Sequence, residues 1–201
     1  MLALMQINSF LAFSRLVNDF ANVERITYRP GSERHENDVE HSYHLALMAW
    51  YLINSQKLDL DLGTVLKYAL AHDLIEVHAG DTFIYSTDKE LLRSKPEREA
   101  KAADILKGSF PEFPAVHEAI QDYVLRESRE ARFVYALDKV LPCLLIREDG
   151  FRTWDEHGTT LDMIVGNKGP KVALSPEVEP YFHELIRIIR EERDARPIKL
   201  A

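Results

Sequence analysis

Residues 69–82 read ALAHDLIEVHAGDT, and the first seven of them set His72 and Asp73 inside an otherwise apolar run. Upstream, Leu62, Val65, Leu66, Ala69 and Leu70 recur at three- and four-residue steps, which predicts a helix over about 61–76 with Asp61 or Asp59 as its N-cap. His72 continues the row of Val65 and Ala69, and Glu76 follows it one turn later on the same face. Asp73 continues the row of Leu66 and Leu70, about 100° around the helix axis from His72. Both residues therefore point inward. Adjacent inward-facing His and Asp are hard to explain by packing alone.

Working outward, the same periodicity dominates the chain. Leu4, Phe10, Leu11, Phe13, Leu16, Val17 and Phe20 predict a helix over about 5–21, and Arg29-Pro30-Gly31-Ser32 then forms a turn. His41, Leu45, Met48 and Leu52 define a helix over about 39–55. A charged helix follows over about 88–108, then helices over about 115–126 and 129–148. Residues 150–169 read as irregular, with WDEHGTTLDMIVGNKGP as a loop near a pocket mouth, and a last amphipathic helix covers about 176–194. Strand signals are scarce, so the fold class is all-α. No repeat or linker divides the chain, and one domain over 1–201 is expected.

Composition narrows the functions. The 201 residues are 46% hydrophobic and 29% charged, as in a folded globular protein. No stretch approaches the roughly 20 apolar residues of a membrane-spanning helix. The apolar start lacks a basic region and a small-residue cleavage site, so it reads as a first helix and not as a signal peptide. Cys143 is the single cysteine. A multi-Cys zinc site is thus excluded, and a cytoplasmic location fits. A net charge of -8 gives no electrostatic footprint for nucleic acid.

Two further residues belong with His72 and Asp73. Asp138, in ARFVYALDKVLPCLLI, shares a helical row with Val134, Leu141 and Leu145, so its carboxylate points toward a core. A buried carboxylate needs a cation, which alone could be an arginine. His41 opens the inward row of its helix, where a lone histidine is more often a hydrogen-bonded core residue. Together the four give two imidazoles and two carboxylates from three helices. That donor set suits one divalent Mn, Fe, Co, Ni, Zn or Mg ion, with positions left for water and substrate. Of the remaining histidines, only His44 lies one turn from His41 on the same face, and a second metal is not expected.

The order His41, His72-Asp73, Asp138 resembles the H…HD…D signature of HD-domain phosphohydrolases. RHENDVEHSYHLALMA, ALAHDLIEVHAGDT, EREAKAADIL and ALDKV narrow the resemblance to small HD proteins that include bacterial 5'-deoxynucleotidases. It covers about residues 10–140, leaving a helical extension from about 150 to 201 beyond the motif-bearing core of about 10–145. The resemblance implies a helical HD bundle in which His41, His72, Asp73 and Asp138 hold the metal. Glu76 matches an acidic residue beside the attacking water, and Asp81 a second acidic residue of the pocket. Read without the resemblance, Glu76 is a helix-end charge and Asp81 a turn residue. An arginine preceding the first motif holds the substrate phosphate in this family. Arg25, Arg29 and Arg34 lie in that interval, of which Arg25 and Arg34 are selected. The implied substrate is a phosphate ester, first of all a deoxyribonucleoside 5'-monophosphate. The family also commonly dimerises, and the apolar residues of the first and last helices fit either a homodimer interface or the monomer core.

Overall fold

The computed structural model describes residues 2–195, with side chains from Gln6 onward. Leu4 of the first apolar row and residues 196–201 of the C-terminal extension lie outside the described side chains. Ten helices and a two-stranded sheet are described: α1 (Leu2–Phe20), β1 (Glu24–Tyr28), β2 (His35–Asn37), α2 (Asp38–Gln56), α3 (Leu62–Ala71), α4 (Glu76–Ala79), α5 (Lys89–Ser109), α6 (Pro114–Leu125), α7 (Arg129–Glu148), α8 (Arg152–Glu156), α9 (Leu161–Val172) and α10 (Glu179–Asp194). The all-α reading holds: apart from the short sheet, the regular elements among the described residues are helices.

Side-chain caps fix several helix starts by satisfying amide groups that have no partner inside the helix. Asp61, Asp88, Ser128 and Thr160 each accept from a backbone N–H in the first turn of α3, α5, α7 and α9. At α2, Asn37 accepts from the Glu40 amide while the Glu40 carboxylate accepts from the Asn37 amide. This reciprocal cap starts α2 one turn before His41 and fixes the direction in which His41 projects.

α7 is the central helix. Ala131, Phe133, Val134, Ala136, Leu141 and Cys143 are fully buried on it, because α2, α3, α6, α9 and α10 all pack around it. One hydrophobic cluster runs from Leu16 in α1 to Ile189 in α10.

Three local features differ from the sequence expectation. The helix over 61–76 is interrupted: α3 stops at Ala71, and residues 72–75 form a tight turn with Leu74 N–H donating to Ala71 O at 3.1 Å and Glu76 N–H to Asp73 O at 2.8 Å. The His72 ring contributes to the break by donating through Nδ1 to the Ala69 carbonyl at 3.0 Å, an acceptor that a regular helix gives to the Asp73 amide. Next, residues 24–37 form an antiparallel hairpin with Glu24 opposite Asn37 and Tyr28 opposite His35. The anticipated Arg29-Pro30-Gly31-Ser32 turn joins its strands. Lastly, the segment read as an irregular loop over 150–169 contains α8 and most of α9. Pro170 sits near the end of α9 without breaking it.

Candidate metal centre

Side chains from α2, the 72–75 turn, α7 and the hairpin converge at one end of a cavity. His41 Nε2 lies 3.0 Å from Asp138 Oδ1, and His72 Nε2 lies 3.0 Å from Asp73 Oδ2 and 4.0 Å from Asp138 Oδ1. One ligand atom each from His41, His72 and Asp73 fits within a 4.8 Å span. The four residues selected as metal ligands are therefore together. His44, one turn along α2 from His41, is not part of the cluster found among the described residues.

The surrounding contacts orient these donors. Because His72 Nδ1 faces a carbonyl, it carries a ring hydrogen, and Nε2 is the nitrogen that faces the cluster. His41 Nδ1 faces Glu36 Oε2 at 3.7 Å on its outer side. Asp138 Oδ2 accepts from Tyr123 Oη at 2.7 Å and Lys139 Nζ at 2.6 Å, which leaves Oδ1 directed at the imidazoles.

The charges also favour a cation. Burial and the nearby Arg25 guanidinium push His41 down to about 4, so its imidazole is neutral, the ligating form. Burial alone would push Asp138 up, but the Lys139 ammonium and the His41 hydrogen bond hold it well below the usual carboxylate range. Asp73 is likewise held low against burial, by His72 and Arg25. Glu76 behaves oppositely: burial and the carboxylates of Asp73 and Asp81 push it up to about 11. His72 Nε2 and Glu76 Oε2 are buried without a hydrogen-bond partner. The residues fit a divalent ion: the inward His72 nitrogen has no hydrogen-bond partner, and Glu76 is crowded by the carboxylates of Asp73 and Asp81.

The cavity beyond this cluster has a volume of about 120 Å³. Glu76 and Asp81 line it beside Asp73 and Asp138, with Gly80 taking a φ of +72° that turns the chain from α4 into the lining loop. That loop is tied to α5 by Arg98, which donates to Ala79 O at 2.5 Å and Thr82 Oγ1 at 2.8 Å. Lys95, Lys139 and Lys168 add positive charge, and Phe83, Tyr85 and Trp154 add apolar rings.

The two selected arginines part company. Arg25 lines the cavity, donating to Asp38 Oδ1 at 2.9 Å and to Asp73 Oδ2 at 3.0 Å. Arg34 is exposed and donates to the Glu40 carboxylate at 2.8 and 2.6 Å, on the outer side of the hairpin and outside the cavity lining. Arg29 pairs with Glu40 as well. Glu36, Asp38, Lys139 and Lys168 were not anticipated. Lys139 could have been found as the immediate neighbour of Asp138. Lys168 could have been found from the row Ile164, Lys168, Val172, whose four-residue steps place a lysine between two buried aliphatics.

The HD-domain family model matches residues 17–179. The chain therefore belongs to the HD-domain family. It is similar to a structure described as a predicted metal-dependent phosphohydrolase from Magnetospirillum magnetotacticum MS-1, with 31% identity over 95% of this chain and 98% of that one and a TM-score of 0.80. A conserved hypothetical protein from Pyrococcus furiosus shares the fold at 22% identity, covering 92% of this chain and 99% of that one with a TM-score of 0.57. A protein from Pyrococcus horikoshii OT3 does so at 24% identity, covering 90% and 99% with a TM-score of 0.62. A search of the curated proteins finds no match.

Proposed function

We propose that the chain is a metal-dependent phosphohydrolase that cleaves deoxyribonucleoside 5'-monophosphates to deoxynucleoside and phosphate. The observation that carries this reading is the meeting of His41, His72, Asp73 and Asp138 at the end of a cavity also lined by lysines and aromatic rings. The similarity to a protein described as a predicted metal-dependent phosphohydrolase supports the reaction class. The deoxynucleotide preference rests on the resemblance of the sequence motifs.

His41, His72, Asp73 and Asp138 would hold the divalent cation, which would supply Lewis-acid polarisation of a phosphoryl oxygen and a lowered pKa for water. The protein residues do the rest. Glu76 and Asp81 orient the attacking water, and Asp81 accepts its proton. Arg25 holds Asp38 and Asp73 in place and directs positive charge toward the phosphate. Phe83, Tyr85 and Trp154 provide surfaces for the organic part of the ester. Water attacks phosphorus as the bond to the 5' oxygen breaks, and the departing alkoxide takes up the proton that Asp81 accepted from the water.

We place the whole chain in one HD domain, because the 150–195 segment contributes Lys168 to the cavity and Phe182 and Ile189 to the common core. Arg34 belongs to this proposal only as a residue of the hairpin's outer face. A homodimer through α1 is supported by Ile7, Phe10, Leu11 and Val17, which are exposed on that helix. Among the described residues no helix is long and apolar enough to cross a membrane.

The size of the cavity favours a second reading. A volume of about 120 Å³ holds a phosphate group more readily than a nucleoside, so a smaller phosphate monoester is the alternative substrate. Phosphate release from paired deoxy- and ribonucleotides and from small sugar phosphates decides between them. Selective release from deoxynucleotides supports the first reading, and release confined to small esters replaces it with the second.

A further inference from the structure

On α9, Ile164, Lys168 and Val172 follow one another at four-residue steps and all three are buried, Lys168 being 6% exposed. A lysine in such a row normally snorkels its ammonium to water. Here it lines the cavity instead, and Nζ donates to the Lys139 carbonyl at 2.8 Å. That carbonyl belongs to the residue following Asp138.

The other cavity cations have acidic partners within the protein. Arg25 pairs with Asp38 and Asp73, Lys139 with Asp138, and Lys95 with Glu99 at 3.3 Å. Among the described residues, no carboxylate forms an ion pair with Lys168, whose one hydrogen bond is to a neutral carbonyl. A buried ammonium without a counter-ion is costly, and two of its three hydrogens remain to be donated. The neighbourhood is already rich in positive charge: burial, followed by Lys139, Lys168 and Lys95, pushes the half-buried Lys171 down to about 8. Such a group of cations is compensated most simply by an anion that arrives in the cavity.

We propose that Lys168 is a phosphate-binding residue, donating to a non-bridging oxygen of the substrate phosphate beside Asp138. This inference rests on the phosphohydrolase reading and adds to it a residue that precedes neither metal motif. It also gives α9 a functional place, since the helix carries the cation into a site whose metal ligands all come from earlier in the chain.

The test separates binding from support of the Lys139 carbonyl. Inorganic phosphate is titrated by calorimetry into the metal-loaded full chain, as wild type, Lys168→Gln and Lys168→Met, with metal content measured on each. Glutamine can still donate to the Lys139 carbonyl but carries no charge. Both variants are expected to keep their metal, while Lys168→Gln binds phosphate about tenfold or more weakly than wild type and raises KM more than it lowers kcat. Should Lys168→Met fail to fold, Lys168→Gln decides alone. Phosphate affinity of Lys168→Gln within twofold of wild type overturns the assignment and leaves the hydrolase reading intact. Phosphate binding that requires Lys168, in a protein that hydrolyses no phosphate ester, supports the assignment and overturns the hydrolase reading.

Discussion

Replacing Asp138 by asparagine removes one negative charge while keeping the shape of the side chain, and the partners of its two oxygens set the cost. The amide oxygen at the Oδ2 position loses the ion pair with Lys139 at 2.6 Å but can still accept from Tyr123, and an NH2 donor replaces Oδ1 opposite His41 at 3.0 Å. Breaking a fully buried pair costs about 3–5 kcal/mol. The Lys139 side chain is 27% exposed and can turn toward solvent, so the metal-free variant should lose less, about 1–3 kcal/mol. The larger effect is on metal linkage. Metal at about 100 times its Kd stabilises the wild type by about 2.7 kcal/mol. For a chain of 201 residues this raises Tm by roughly 5–10 °C. A variant that binds metal about a hundredfold more weakly keeps only about 0.4 kcal/mol of this, a shift of roughly 1 °C. Thermal scans with and without metal measure both effects. An equal metal-induced shift in wild type and Asp138→Asn would refute Asp138 as a ligand.

Single contacts carry the other predictions. Asn37→Ala removes half of the reciprocal cap of α2 and should cost about 1 kcal/mol in urea unfolding; no loss would mean that the cap does not hold His41's helix in place. His72 is raised by Asp73 against the downward push of burial, whereas His41 is already neutral. Metal must therefore displace a proton from His72, so its affinity should fall as pH drops, and metal binding should release a proton. Calorimetry in buffers of different ionisation enthalpy reads that proton, and its absence would contradict the assignment. Arg98→Ala should cost about 1–3 kcal/mol and open the 81–88 loop to proteolysis, because three hydrogen bonds from Arg98 tie that loop and the start of α5 together. Unchanged cleavage would show that the loop is held otherwise.

The helices and the cluster of candidate ligands were legible for a common reason. A polar residue on an apolar helical row is visible as a break in a pattern, and His41, Asp73 and Asp138 each interrupt one. The turn at 72–75 was not legible, because its cause is a hydrogen bond from the His72 ring to a backbone carbonyl, which leaves the row of apolar side chains unchanged. The hairpin escaped because β1 is five residues long and buries polar Thr27 and partly buries Arg25, so it lacks the apolar alternation of a strand. In α9, Gly166, Gly169 and Pro170 signalled a loop, yet burial of Ile164 and Val172 outweighed their low propensities. The choice between Arg25 and Arg34 depended on which face of the hairpin each would occupy. That required the hairpin itself.

The most direct test of the central claim is phosphate release from a panel of phosphate monoesters by protein stripped with chelator and reloaded separately with Mn, Co and Mg, alongside Asp73→Ala. The account predicts release that returns with metal in the wild type and is absent from Asp73→Ala. A wild-type protein that contains metal and hydrolyses none of the esters would contradict it.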